Sequence, residues 1–279
     1  MECSKKVSAI FLKEKLLDMR KERKRNIWLS IASLVVFFGI WYVSTAVLEL
    51  VPPKTLPDPI KVFKSFIDKF TNKNPDGATL IQHTISSLRI SLTGYIVGLI
   101  IGIPLGIIMA WNKYVDRFFR PMFDLLKPIP GLAWIPLMIV IFGIGIESKV
   151  AVVFMSAVVS CILNSYTGIK QTKEVHIWVA RTFGASRNQM LFKIAIPTAL
   201  PFIMTGARLS LGSSWVVIVA AELLGSTRGL GFMIQQSRGI YRTDIIVVGM
   251  LAIGICGASL TGILSLVEKA LVKGRNKHE

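Results

Sequence analysis

The sequence predicts an all-α membrane protein with six transmembrane helices, and three observations carry that prediction. Apolar residues make up 52% of the 279 positions, with a mean hydropathy of +0.58. They gather in six runs, at about 27–50, 88–111, 129–146, 149–169, 199–223 and 245–267. Each is near the roughly 20 residues that a helix needs to cross a hydrocarbon core of about 30 Å. Lys and Arg divide unevenly between alternate connections. With the N-terminus in the cytosol, the inside segments 1–26, 112–127, 170–197 and 268–279 carry 22, and the outside segments carry nine. This is the positive-inside bias. It accounts for the net charge of +17 better than a nucleic-acid partner does, because the basic cluster 21–25 abuts the first span.

The expected organisation is a cytosolic basic tail (1–26), a transmembrane domain (27–267) and a cytosolic tail (268–279), with both termini inside. The first run is too long for a signal-peptide core and reads as a retained span. Residues 51–87 form an outside connection. Asp58 is placed to cap a helix with Pro59 at its first position. Ile60, Phe63, Phe66, Ile67 and Phe70 then give a short amphipathic helix lying on the membrane surface. Residues 71–78 read as a turn-rich linker. In the second span Gly94, Gly98, Gly102 and Gly106 recur every four residues and should admit another helix backbone closely. The last span repeats the device more weakly with Gly254, Ala258 and Gly262.

The third span is interrupted. Pro128 and Pro130 precede it, Pro136 lies within it, and Trp134 sits between the breaks. Proline removes a backbone donor, and broken backbone at membrane depth is tolerated where it is buried or lines a wet cavity. Ser156, Ser160 and Asn164 share one face of the fourth span, which suits either a pathway or interhelical hydrogen bonds. In the fifth span Arg208 needs a partner, and backbone carbonyls are the first choice. Ser213, Ser214 and Trp215 lie near mid-depth, and Glu222 ends the span, where it would either close a gate with Arg228 or snorkel. The candidate translocation pathway is therefore Trp134, Ser160, Asn164, Ser213, Ser214, Trp215 and Glu222.

The polar gap between the fourth and fifth runs, 170–197, reads as a helix–Gly–helix hairpin. Thr172 is a possible cap, with Glu174 in the first turn. Val175, Trp178, Val179 and Phe183 recur at helical spacing. Gly184 interrupts, where a Cβ is expected to be excluded. Ser186 and Gln189 form a capping box for a second short helix, and Pro197 marks where the next apolar run begins.

Elsewhere chemistry is sparse. Cys3, Cys161 and Cys256 have no paired spacing, and His83, His176 and His278 have no Cys or carboxylate cluster in the sequence. There is no G-x-x-x-x-G-K-[ST] loop. An enzyme is not expected, and no metal or cofactor is expected on this chain. An ion-coupled secondary transporter would call for inverted repeats, which the sequence does not display.

The hairpin resembles the coupling loop of binding-protein-dependent ABC importer permeases, E-A-A-x3-G-x9-I-x-L-P. Ala180, Gly184, Ile194 and Pro197 match; Ile196 replaces Leu, and Trp178 and Val179 stand for Glu and Ala. The resemblance extends over residues 52–272. LPDPIKVF, GLIIGIPLGIIMA, KPIPGLAWIPLMIVIFGIGIESKV and VAAELLGSTRGLGFMIQ look like the nitrate/sulfonate/taurine branch of that family. It implies a type I ABC importer permease fold in a bacterial inner membrane, working as a homodimer with two ATPase subunits and an extracytoplasmic substrate-binding protein. ATP and Mg would sit on the ATPase subunits. Coupling would fall to Trp178, Val179, Ala180, Gly184, Ala185, Ser186, Ile194 and Pro197. Taurine or alkanesulfonates are the implied cargo, with nitrate or another small anion as the alternative.

Overall fold

A computed structural model of the chain describes residues 22, 25–26, 28–52 and 54–272. Most of the expected basic tail 1–26 and the end of the C-terminal tail therefore lie outside the described residues. The described residues fall into two compact units, divided between residues 64 and 65.

The first unit holds α1, Trp28–Val47, whose last five residues widen into a π-turn. It is apolar on nearly every side, with Leu29, Val35, Phe37 and Ile40 all exposed, as suits a helix surrounded by lipid. Trp41 Nε1 donates to the Pro57 carbonyl at 3.2 Å. The helix α2, Pro59–Asp68, begins as its sequence dictates, the Lys61 N–H bonding to Asp58 Oδ1 at 2.8 Å. Ile60, Phe63 and Ile67 lie exposed along one side.

The second unit is built on three long helices, α3 (Leu80–Trp111), α6 (Ile146–Lys170) and α9 (Ile196–Leu224). Thr79 and Gln82 close a capping box at the start of α3, which begins eight residues before the apolar run. The glycine stripe does what its spacing predicts. An added Cβ would lie 2.7 Å from Val153 at Gly94, 2.6 Å from Ala157 at Gly98, 2.7 Å from Cys161 at Gly102 and 2.6 Å from the Ile162 carbonyl at Gly106. Partner numbers rise together, so α3 and α6 run parallel with their backbones nearly touching. On the other side of α6, Gly168 meets Ala199 and Phe202, and Gly206 meets Asn164. Here the numbers run in opposite senses, so α9 is antiparallel to α6. Tyr95 Oη ties α3 to α9 by donating to the Ala207 carbonyl at 3.0 Å. The small residues let three helices share one core with almost no side-chain volume between them.

Between α3 and α6 the structure departs from a single third span. Residues 112–127, expected as a connection, form the amphipathic helix α4, Lys113–Leu126, capped by Asn112. Tyr114, Phe118, Met122 and Leu125 are exposed, while Val115, Phe119 and Phe123 pack on Met109, Val158 and Ile162. A 3-10 turn over Gly131–Trp134 leads into α5, Ile135–Phe142, and the two halves meet at 88°. Pro128 and Pro130 fall at the break, where no helical N–H is lost. Pro136 sits in the first turn of α5, where proline is tolerated.

The helix α11, Thr243–Val272, continues past residue 267 and carries Glu268 within it. Its stripe Gly254, Ala258 and Gly262 is exposed, and nothing lies within 4 Å of a Cβ at either glycine. That stripe packs on no described helix of its own chain. Trp215 Nε1 donates to the Ile253 carbonyl at 3.1 Å, which holds α11 against α9. The short helix α10, Leu230–Gly239, joins them.

Candidate functional site

The hairpin emerges where α3, α6 and α9 converge. Its first helix, α7, covers Glu174–Thr182. Lys173 is its cap and makes no side-chain bond; Thr172, the expected cap, is still bound through its N–H to the Ile169 carbonyl as α6 unwinds, and its Oγ1 has no partner. The C-terminus of α7 is a complete Schellman closure. Gly184 N–H bonds to the Arg181 carbonyl at 2.9 Å and Ala185 N–H to the Ala180 carbonyl at 3.0 Å. Gly184 has φ +77°, yet nothing lies within 4 Å of where its Cβ would be. Glycine is needed for the left-handed backbone, then, and not because a side chain is excluded.

The second helix, α8 (Arg187–Met190), starts on the predicted capping box: Gln189 N–H to Ser186 Oγ at 3.3 Å, and Ser186 N–H to Gln189 Oε1 at 2.8 Å. It does not stop before the membrane. A π-turn over Leu191–Ala195 carries it directly into α9, making one 38-residue helical body from Arg187 to Leu224. The ring of Pro197 would press on the Lys193 carbonyl in a regular helix. The π-turn falls at that position.

The base of the hairpin is fixed. Met190 and Ala195 are buried, and Ala195 joins Ala110, Ile169, Ala199 and Ile203 in one apolar cluster. Arg187 Nη2 donates to the Trp111 carbonyl at 2.9 Å at the end of α3. The tip is the reverse. Val175, Trp178 and Val179 are at least half exposed, and Phe183 is 86% exposed. Gly184 and Ser186 lie on the surface, Ala180, Ala185 and Ile194 are half-buried, and Pro197 is exposed. Large apolar groups exposed above a buried base are the kind of surface that suits a partner.

Seven residues were expected along a pathway. Trp134, Ser160, Asn164 and Ser213 are half-buried. Asn164 Nδ2 donates to the Ser160 carbonyl at 2.9 Å, and Ser213 Oγ to the Ser210 carbonyl at 3.0 Å. Ser214, Trp215 and Glu222 are enclosed by the chain itself, at 0%, 6% and 1% exposure. Arg208 pairs with Glu268 of α11 rather than with carbonyls.

Glu222 neither meets Arg228 nor snorkels. It accepts from Ser87 Oγ at 2.8 Å and from the Gly231 N–H at 2.9 Å. Ser87 Oγ in turn accepts from the Leu230 N–H at 2.9 Å. The carboxylate thus clamps the turn after α9 onto α3. Beside it, His83 Nδ1 accepts from the Gly229 N–H at 3.1 Å, which places the ring proton on Nε2, 3.3 Å from Asp76 Oδ1. Lys69 is 1% exposed and donates to Asp76 Oδ1 at 2.6 Å and to the Asn74 and Ala78 carbonyls at 2.9 Å. Residues 71–78 are therefore a loop wound on a buried ammonium, not a plain linker. His83 does have a carboxylate. Burial alone would raise the Asp76 carboxyl, but hydrogen bonds from His83 and Lys69, with the Lys69 charge, outweigh it and hold the group below its ordinary value. The Asp–x6–His spacing was visible in the sequence, but the buried Lys69 gave no signal there, because lysine at the end of an amphipathic helix ordinarily faces water.

With its long apolar helices, broken third span and hairpin with an apolar tip, the chain is a permease component of an ABC importer, a multi-pass inner-membrane protein. The chain belongs to the family described as binding-protein-dependent transport system inner membrane component, which it matches over residues 102–277. It is 36% identical over 254 residues to the taurine transport system permease protein TauC of Escherichia coli, covering 88% of this chain and 91% of that one. It is 30% identical to the putative aliphatic sulfonates transport permease protein SsuC of Bacillus subtilis, over 92% and 91% of the two chains. The bicarbonate transport system permease protein CmpB of Synechococcus elongatus is 28% identical, over 91% and 92%. Among solved structures, the inward-facing MetNI methionine ABC transporter shares the fold, with a TM-score of 0.53 and 21% identity, covering 66% of this chain and 95% of that one.

Proposed function

We propose that two copies of this chain form the pathway of an ATP-driven importer of small sulfonates, taurine or an alkanesulfonate. The 36% identity to a taurine permease over nearly the full length of both chains carries this reading, and the likeness to an aliphatic sulfonates permease supports it. Nitrate or another small anion is the second reading, favoured by the likeness to a bicarbonate permease.

The hairpin lies in the cytosol, a side that the distribution of Lys and Arg supports, and both termini lie with it. Trp178, Val179, Ala180, Gly184, Ala185, Ser186, Ile194 and Pro197 form or shape the surface that docks on an ATPase subunit. ATP and Mg are bound there and not by this chain. Each chain offers one hairpin and an ATPase dimer offers two clefts, so a homodimer is the simplest assembly. The uncovered Gly254–Ala258–Gly262 stripe of α11 supports self-association. An extracytoplasmic binding protein delivers the substrate to the opposite face. Trp134, Ser160, Asn164 and Ser213 line the pathway with hydroxyl, indole and amide groups, which hydrogen-bond a sulfonate without trapping it as a bare Arg in low dielectric would. Ser214, Trp215 and Glu222 hold the wall behind them.

The test is uptake in a strain without other sulfonate systems, supplied with this permease, its ATPase and its binding protein. Taurine or alkanesulfonate uptake is expected. Nitrate uptake alone would replace the sulfonate reading and leave the importer class standing.

A further inference from the structure

A concavity of about 430 Å³ opens between the first turns of α3 and the start of α6, at the end of the bundle opposite the hairpin. Arg89 and Arg228 both line it, with Gln82 and Ser86 beside them and Ile146 and Val150 as an apolar wall. None of its lining residues is acidic. Among the described residues neither guanidinium has an ion-pair partner, and both residues are exposed. The other arginine within a long helix, Arg208, is paired.

Depth makes the two open guanidinium groups informative. The 32 residues of α3 extend about 48 Å, so the helix overhangs a core of about 30 Å by roughly 9 Å at each end. Arg89 lies about 13 Å along the helix from Leu80, at or just below the edge of the hydrocarbon. An arginine there is costly without a counter-charge, and its own carbonyl is already taken by Thr93 Oγ1 at 2.7 Å. The guanidinium is a planar fork that matches the geometry of an oxyanion. Gln82 and Ser86 add neutral donors, and the isoleucine and valine wall suits a carbon chain.

We propose that this groove binds an oxyanion head group, a sulfonate or phosphate, between Arg89 and Arg228, with the attached carbon chain against Ile146 and Val150. Two sources share that chemistry: a sulfonate substrate entering the pathway, which rests on the reading above, and the phosphate of an anionic lipid.

The experiment uses the complete transporter with its ATPase and binding protein, in vesicles of phosphatidylcholine with and without phosphatidylglycerol. Wild type is compared with Arg89→Gln, Arg228→Gln and Arg89→Lys. For a substrate source, the KM for taurine and propanesulfonate rises about tenfold or more in each Gln variant at unchanged kcat, the loss expected for a charge-assisted hydrogen bond; Lys is intermediate. For a lipid source, KM is unchanged. Native mass spectrometry then finds less phosphatidylglycerol retained by the variants, and their ATP hydrolysis no longer responds to that lipid. Wild-type protein alone keeps the proposal open to refutation if the variants do not assemble: retention of no phosphatidylglycerol, with no propanesulfonate contact by saturation-transfer NMR, overturns it. Variants with wild-type KM and wild-type lipid retention overturn it equally. Failure of wild type to carry any sulfonate would remove the sulfonate reading, while the lipid arm still decides the groove.

Discussion

Gly184 separates two explanations of a hairpin glycine, because its Cβ position is empty while its φ is +77°. An L-residue held in that conformation costs about 1–2 kcal/mol. At the tip of the hairpin this penalty acts on the one turn that aligns α7 with α8, so Gly184→Ala should lower the population of the docking geometry about five- to thirtyfold. Gly184→Val should do so more severely, since its branched Cβ restricts the backbone further. Asn enters the left-handed region with much less penalty, so Gly184→Asn should keep most of the function. Uptake and ATP hydrolysis, measured on the same proteoliposomes, give the coupling ratio. It should fall in the order Gly, Asn, Ala, Val, with all four proteins inserted normally. Equal impairment by Asn and Val would mean that the docked partner excludes any side chain, and the backbone argument would be wrong. Wild-type coupling in Gly184→Val would remove the hairpin from the coupling role altogether.

Four more outcomes follow from the packing and the ion pairs. Gly98→Leu or Gly102→Leu must push α3 off Ala157 or Cys161, which lie 2.6 and 2.7 Å from a Cβ; yield of assembled complex should drop sharply, with each substitution costing about 1–3 kcal/mol or more. Asp76→Asn should destabilise the loop 71–78 by about 3–5 kcal/mol at pH 7, read as a lower Tm, because it strands the buried Lys69 ammonium. Because the Asp76 pKa is lowered on folding, its contribution is complete above the unfolded carboxyl value and lost as pH falls through the folded one. Tm should therefore show no Asp76-dependent change from pH 5 to 8, and the acid-side decrease below about pH 4 should be smaller in Asp76→Asn; a mid-range slope traced to Asp76 would contradict the assignment. Finally, Arg208→Glu paired with Glu268→Arg should restore assembly that either change alone impairs, and a double variant no better than the singles would show that the ion pair is incidental.

The helical spans were legible because membrane insertion demands long apolar runs, and the α3 stripe because only glycine at every fourth position permits that approach. The hairpin was legible in its glycine and its Ser186–Gln189 box, both local signals. What escaped was decided by contacts distant in sequence or by amphipathic patterns shorter than a span. The helix α4 is too polar for a hydropathy run, and its apolar face is defined only by the Met109–Ile162 surface it covers. Glu268 follows an apolar run that its charge ends, so neither the helix continuing through it nor its pairing with Arg208 was visible. Glu222 looked like a span-end carboxylate until Ser87, 135 positions earlier, was brought to it. Of the pathway candidates, the sequence supplied the polar residue types but not which side of each helix the chain itself would cover.

The continuous helical body from Arg187 to Leu224 ties the second helix of the hairpin to the far end of α9. From Arg187 to Glu222 it measures about 52 Å. A tilt of only about 5° at the hairpin end would sweep Glu222 through roughly 4–5 Å, more than the length of the hydrogen bonds it makes to Ser87 and Gly231. Rocking at one face of the membrane would then be felt at the latch on the other.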